Sequence, residues 1–246
     1  MSGGDAKGRA ADPHACSWEG GLVRHAEGLW TAAGPQRFYG LHLGTRMTVL
    51  RLPDGGLWLH SVIAMDDALA RQIEALGPVR HLVVPNLYHH LHAASALRRW
   101  PAARVHAPGQ LARKRPDLRI DSTLGEEPEA GWGGALRPIH VDGSILDETV
   151  FVHVPTGTLI CSDLVENFES NPHLPTRLYL RAAGLRGQVA FSRLLRPVYR
   201  DRRAARRSLE RLLRLDFDRV VLAHGRVLES GGPAAVRGAY RWLPAG

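Results

Sequence analysis

Residues able to ligate a metal occur in three separate places, each just past an apolar run that reads as a buried strand. His89, His90 and His92 follow HLVVP (His81 to Pro85), Asp163 follows TLICS, and His224 follows RVVLA. In layered α/β sheets the loops at strand ends hold side chains over a rigid edge, so three such segments can meet over one pocket. Imidazole nitrogens and a carboxylate oxygen suit Zn, Fe or Mn, and a catalytic ion keeps an open position for water, whose pKa it lowers. Metal-assisted hydrolysis is the chemistry this set proposes. Each residue also has a plainer role open to it. His89 and His92 can cap backbone donors at a loop-to-helix junction, Asp163 can cap the segment LVENF, and His224, before Gly225, can be a satisfied loop histidine. Recurrence at three strand ends favours the pocket. Glu148 and Glu166 flank the same region, and their spacing alone does not separate proton carriers from solvated carboxylates.

The elements that would position these residues are legible as periodicities. Met47 to Leu52 and Leu57 to Ser61 read as two strands joined by the turn residues PDGG. Asp66 and Asp67 precede ALARQIEALG, whose Leu69, Ile73 and Leu76 share one helical face and whose Gly77 and Pro78 stop the helix. After HLVVP come a loop, a short helix and the strand RVHAP (Arg104 to Pro108), then a charged, Gly- and Pro-rich stretch, Leu111 to Ala135, read as loop with short helical pieces. A second hairpin pairs Val150 to Val154 with Leu159 to Cys161 around Pro155, Thr156 and Gly157. A helix from Arg202 to Leu215 leads into the final strand of FDRVVLAHG.

The chain has 246 residues, 44% apolar and 23% charged, ordinary globular usage that can fill one core. It is expected to form a single domain over residues 29–246 after a polar leader, 1–28. The leader lacks the apolar stretch of a signal peptide, and no segment has the length of a membrane span, so a soluble, cytoplasmic protein is expected. Cys16 and Cys161 lie in such different settings that no disulfide framework is indicated. The formal charge of +8 is nearly all arginine, much of it between Arg186 and Arg214. Without an aromatic stacking pattern or a reading helix, a solvated basic helix face is favoured over nucleic-acid binding, and the expected partner is a small-molecule substrate. Oligomeric state has no signature here.

With its strand-end histidines and aspartate, the chain resembles the metallo-β-lactamase fold superfamily over roughly Arg46 to Arg226. The resemblance implies an α/β fold, a four-layer αββα sandwich with a metal site along one edge of its two sheets. The superfamily motif His-x-His-x-Asp-His falls on Leu87-Tyr88-His89-His90-Leu91-His92. His89 and His92 match its second and third histidines, while Leu87 and Leu91 stand in place of the first histidine and of the aspartate. The bridging aspartate corresponds to Asp163, with Ser162 in place of the usual preceding glycine, and the last histidine corresponds to His224 in LAHG. The middle histidine has no clean equivalent; His140 and His153 are the candidates. A dinuclear centre is therefore not expected. A mononuclear site of His89, His92, Asp163 and His224 is, with Asn86, His140 or His153 as additional ligands and Asp163 orienting water. The implied activity is metal-dependent hydrolysis of a small ester, lactone, thioester or phosphoester. The alternative is a non-catalytic binding domain that keeps the fold without metal. A nucleic-acid-processing role ranks last.

Overall fold

The inner strands of this protein, such as Thr149–His153 and Thr158–Ile160, are buried at every position because both of their faces are covered. The computed structural model describes residues 21–244. Most of the span read as a leader, with Cys16, lies outside the described residues. The first strand, β1 (Val23–Ala26), falls inside that span, so ordered structure begins earlier than Leu29. It pairs with β2 (Leu29–Gly34), and a small ribbon of β3 (Arg37–Phe38) and β4 (Leu41–His42) follows. The expected first hairpin is β5 (Thr45–Arg51) with β6 (Leu57–His60). Helix α1 (Asp67–Leu76) begins where Asp66 accepts a hydrogen bond from the Leu69 N–H, as its capping residue type predicts.

Then come β7 (Val79–Val83), α2 (Ala93–Arg99), β8 (Arg104–Ala107), α3 (Leu111–Lys114) and β9 (Ser122–Thr123). The first sheet has seven strands in the order β1-β2-β5-β6-β7-β8-β9, antiparallel up to β6 and parallel beyond it. The second sheet begins with β10 (Leu136–His140), β11 (Thr149–His153) and β12 (Thr158–Ile160). A side ribbon of β13 (Glu166–Phe168) and β14 (Gln188–Ala190) brackets α4 (Leu174–Ala183). Helix α5 (Arg202–Leu212), strand β15 (Arg219–Val221) and helix α6 (Gly232–Ala239) complete the chain, β15 lying parallel to β12.

Alternation along each strand divides the core into three layers. Val150 and Val152 of β11, Leu159 of β12 and Val220 of β15 pack under Leu209 and Leu212 of α5 and Val236 of α6. Their neighbours Phe151, Ile160 and Val221 point the other way, against Leu50, Trp58 and Val83 of the first sheet. On that sheet's outer side, Met47, Val49, Leu59 and Leu82 meet Ile73 of α1 and Ala96 of α2. The result is a four-layer αββα sandwich. Periodicity did not reveal β1, β2, α4, the β13–β14 ribbon or α6. The capping reading of Asp163 also fails, because Glu166–Phe168 of LVENF is a strand, not a helix.

Candidate metal centre

Loops after β7, β12 and β15 converge at one edge of the sandwich and bring His89, Asp163 and His224 together. Nε2 of His89 and Nε2 of His224 each lie 3.3 Å from the same oxygen, Oδ1 of Asp163. Each of the three residues offers one ligand atom, and these atoms lie within 4.8 Å of one another. The outer side of every member is anchored. His89 Nδ1 hydrogen-bonds the Ser61 hydroxyl at 2.6 Å, and His224 Nδ1 donates to the Gly44 carbonyl at 2.6 Å. The second carboxylate oxygen of Asp163 accepts from Asn86 Nδ2 at 2.7 Å.

Local sequence explains how these positions are held. Asn86 is fully buried, and its Oδ1 accepts from the Tyr88 and His89 N–H groups at 2.8 and 2.9 Å, which winds the loop that presents His89. Ser61 adopts φ +56, left-handed backbone that costs a non-glycine residue energy, and so turns its hydroxyl toward His89. Glu148, 2% exposed, accepts from the Ser162 N–H and hydroxyl and from the Asp163 N–H at 2.8, 2.9 and 3.1 Å. Ser162, standing where glycine is usual, thus serves as a link between Glu148 and Asn86, whose Nδ2 donates to its hydroxyl at 3.1 Å. Gly225 has φ +95, and a Cβ there would lie 2.0 Å from the Asn167 carbonyl oxygen. Only glycine lets β13 press against the end of β15 and fix His224.

The electrostatics follow from this packing. Burial alone would raise the Asp163 carboxyl, yet the facing His89 and His224 hold it well below the usual carboxylate range. Burial would lower His224, and Asp163 outweighs it, so its pKa is raised. Glu148 is pushed up to about 7 by burial and by the negative Asp163, and Glu166 to about 7 chiefly by burial. Glu166 lines the adjoining cavity, and its Oε2 is buried without a hydrogen-bond partner.

A metal ion fits this donor set. The Gly44 carbonyl can only accept, so His224 Nδ1 carries a proton and Nε2 is the nitrogen that faces Asp163, where it either holds the second proton that the raised pKa favours or gives its lone pair to a cation. Lone pairs converging on a carboxylate repel unless a proton or a cation lies between them. Donors about 2.0–2.2 Å from a tetrahedral ion lie about 3.3–3.5 Å apart. Both histidine-to-aspartate separations, 3.3 Å, match that edge. Two histidines and one carboxylate suit Zn or Fe and leave positions open.

The other residues singled out in the sequence lie elsewhere. His92 lines the same cavity but stands outside the three-residue group, at the start of α2. Asn86 is not free to ligate, since both ends of its amide are engaged. His140 turns to Asp147, at 3.5 Å, and to the Thr149 hydroxyl, and does not line the cavity. His153 sits at the far end of β11, four residues from Thr149 at roughly 3.3 Å each, and hydrogen-bonds Thr156 at 2.7 Å. Strand direction carries His153 from the edge, whereas His140, paired with Thr149 on the outer strand β10, stays at that end of the sheet and is turned away into Asp147. Ser61, Gly44 and the role of Glu148 had no sequence signal. Ser61 and His89 are 28 residues apart, and no motif couples them.

The cavity beside the three donors has a volume of about 540 Å³. Phe38, Leu43, Val62, Leu91, Phe191 and Leu195 form much of its wall, with Arg37 and Lys114 also lining it.

The chain has the metallo-β-lactamase fold. A metallo-β-lactamase from Pontibacter korlensis is 15% identical, with a TM-score of 0.61 over 88% of this chain and 98% of that one. The FIM-1 enzyme of Pseudomonas aeruginosa, solved in a mono-zinc form, is 13% identical, with a TM-score of 0.61 over 92% of this chain and 97% of that one. A metallo-β-lactamase from Erythrobacter litoralis, solved with β-mercaptoethanol in its active site, is 14% identical, with a TM-score of 0.64 over 90% and 96%. Identities this low establish architecture and not activity. A family model described as a domain of unknown function, DUF4336, matches residues 26–112, which include His89 but neither Asp163 nor His224. No curated protein matches the sequence.

Proposed function

We propose that this protein is a metal-dependent hydrolase with a mononuclear centre held by His89, Asp163 and His224. Its substrate would be a small ester, lactone, thioester or phosphoester. The observation that carries the reading is the pair of 3.3 Å separations on one carboxylate oxygen, with each outer histidine nitrogen already bonded. An ion bound there supplies Lewis acidity to a carbonyl or phosphoryl oxygen and lowers the pKa of water. Asp163, gripped through its other oxygen by Asn86, orients the attacking water. Glu166, with its pKa near 7 and an unpartnered oxygen at the cavity, holds a proton it can pass to a leaving oxygen or sulfur. The apolar wall favours a substrate with an apolar body.

Leu87 and Leu91, in place of a histidine and an aspartate, favour a second reading, a binding domain that keeps the fold without catalysis. The test is a panel of chromogenic esters, lactones, thioesters and phosphoesters assayed before and after chelation and after return of Zn, Fe or Mn. Hydrolysis lost to chelator and restored by one ion is the expected result. Failure to hydrolyse any substrate class after metal return contradicts the proposal and leaves the binding-domain reading.

A further inference from the structure

A second cavity, of about 600 Å³, opens between β14 and α6. Arg193, Arg196 and Arg241 line it together with Trp242, over small residues that include Gly184 and Gly238. It lies behind Phe191, which also borders the first cavity, so the two are separate spaces sharing a wall. The arginine-rich stretch noted in the sequence supplies two of these guanidinium groups.

Among the described residues, no carboxylate balances the charge of this cluster. Some arginines elsewhere meet carboxylates, as Arg206 meets Glu210, Arg211 meets Asp142 and Arg219 meets Glu229. Among the described residues, Arg193, Arg196, Arg202 and Arg241 form no such pair. Arg241 has only a 3.3 Å bond from Nε to the Gly238 carbonyl. The Nε of Arg196 is buried with no hydrogen-bond partner. Burial, and then the neighbouring Arg193 and Arg202, pull the Arg196 pKa below its ordinary value.

The guanidinium carbons of Arg196 and Arg202 stand 5.0 and 5.5 Å from the Trp242 ring centroid, a cation–π attraction that offsets part of the mutual repulsion. Arg193 is drawn in close because residue 184 is glycine. A Cβ there, at φ +73, would lie 2.3 Å from the Arg193 Nε. Three cations on one concave wall, one with a desolvated N–H left open, form a receptor for an oxyanion. Guanidinium forks match phosphate oxygens with paired, charge-assisted hydrogen bonds.

We propose that this cavity binds a small ligand carrying a di- or triphosphate group, held by Arg193, Arg196 and Arg241. A small ligand fits better than a nucleic-acid strand because the Trp242 indole is already engaged by two guanidiniums and so is not free to stack on a base. Such a site is independent of hydrolysis at the other cavity.

The test is isothermal titration of inorganic pyrophosphate into the full-length protein, with Arg196→Gln and Arg241→Gln compared separately. Saturable one-to-one binding, weakened at least tenfold in each variant and by added salt, is expected. Arg241 is exposed, so its variant keeps the test valid if Arg196→Gln does not fold. Binding that survives unchanged in both variants, as it would if the probe went to His89, Asp163 and His224, overturns the proposal. So does the absence of saturable binding at millimolar pyrophosphate. Single-stranded RNA that binds more tightly than pyrophosphate, and loses that binding in the same variants, overturns the small-ligand assignment.

Discussion

In the middle of β7, His81 Nδ1 meets His106 Nε2 of the neighbouring strand at 2.9 Å. Past the end of that strand, His89 turns its Nε2 toward Asp163 and keeps its other nitrogen on Ser61. The two sets share residue type and sheet yet differ in where their hydrogen-bonding capacity goes. His81 and His106 spend one nitrogen each on the other inside the first sheet, while His106 Nδ1 is buried without a hydrogen-bond partner, 3.7 Å from Glu129; burial pulls both pKa values down, His106 to about 4. At the strand end the outer nitrogens are bonded to the protein and the inner atoms converge on one carboxylate, an arrangement a cation completes. A histidine becomes a ligand candidate through what holds its far nitrogen and what its near nitrogen faces.

The contrast breaks most sharply at Asp163. Asp163→Ala removes the shared oxygen and should weaken metal binding by more than about 100-fold, beyond the loss typical of an outer-sphere partner, as measured by competition with a chromogenic chelator. Unchanged affinity would mean that the three residues do not act as a unit. Ser61 tests the anchoring half of the argument. Ser61→Ala and Ser61→Gly should each cost about 10–100-fold in metal affinity, because His89 loses its outer partner. In thermal unfolding the glycine variant should exceed the alanine variant by about 1 kcal/mol, since residue 61 sits at φ +56. Equal stability would remove the case for backbone strain there.

His153 sharpens the comparison from the structural side. Burial lowers its pKa from 6.5 to about 4, so the unfolded chain takes up a proton in this range before the folded one does. Its contribution is fully present above pH 6.5 and is lost as pH falls toward 4, amounting to about 1 kcal/mol by pH 5.5. His153→Gln should therefore flatten the fall in stability between those values, seen as a shallower slope in denaturant midpoints, while metal content stays as in the parent. A parallel slope, or lost metal, would return His153 to the ligand candidates. The smallest effect is expected at the buried pair. His106→Gln should leave metal content unchanged, and depletion would show that the two histidine sets are not separate.

Much of the architecture was legible because it rests on strong local signals. The β5–β6 hairpin has its PDGG turn, α1 its Asp66 cap, and the inner strands their unbroken apolar runs. Elements whose stability comes from distant packing were not. Helix α4 and the β13–β14 ribbon share a small core in which Phe168, Leu180 and Leu185 meet, a contact no single window contains. The site divided in the same way. His89, Asp163 and His224 announced themselves by chemistry at strand ends, whereas Ser61, Gly44, Asn86 and Glu148 act through side-chain and backbone contacts with no spacing of their own. His92 shows the limit of motif matching. It occupies a motif position on the cavity wall, yet the start of α2 carries it outside the converging group.

The most direct measurement is the metal content of the purified protein by elemental analysis, set beside that of an Asp163→Ala, His224→Ala double variant. The account predicts close to one Zn, Fe or Mn ion per chain in the parent protein and none in the variant. Equal metal in both, or none in either after loading with each ion, would contradict it.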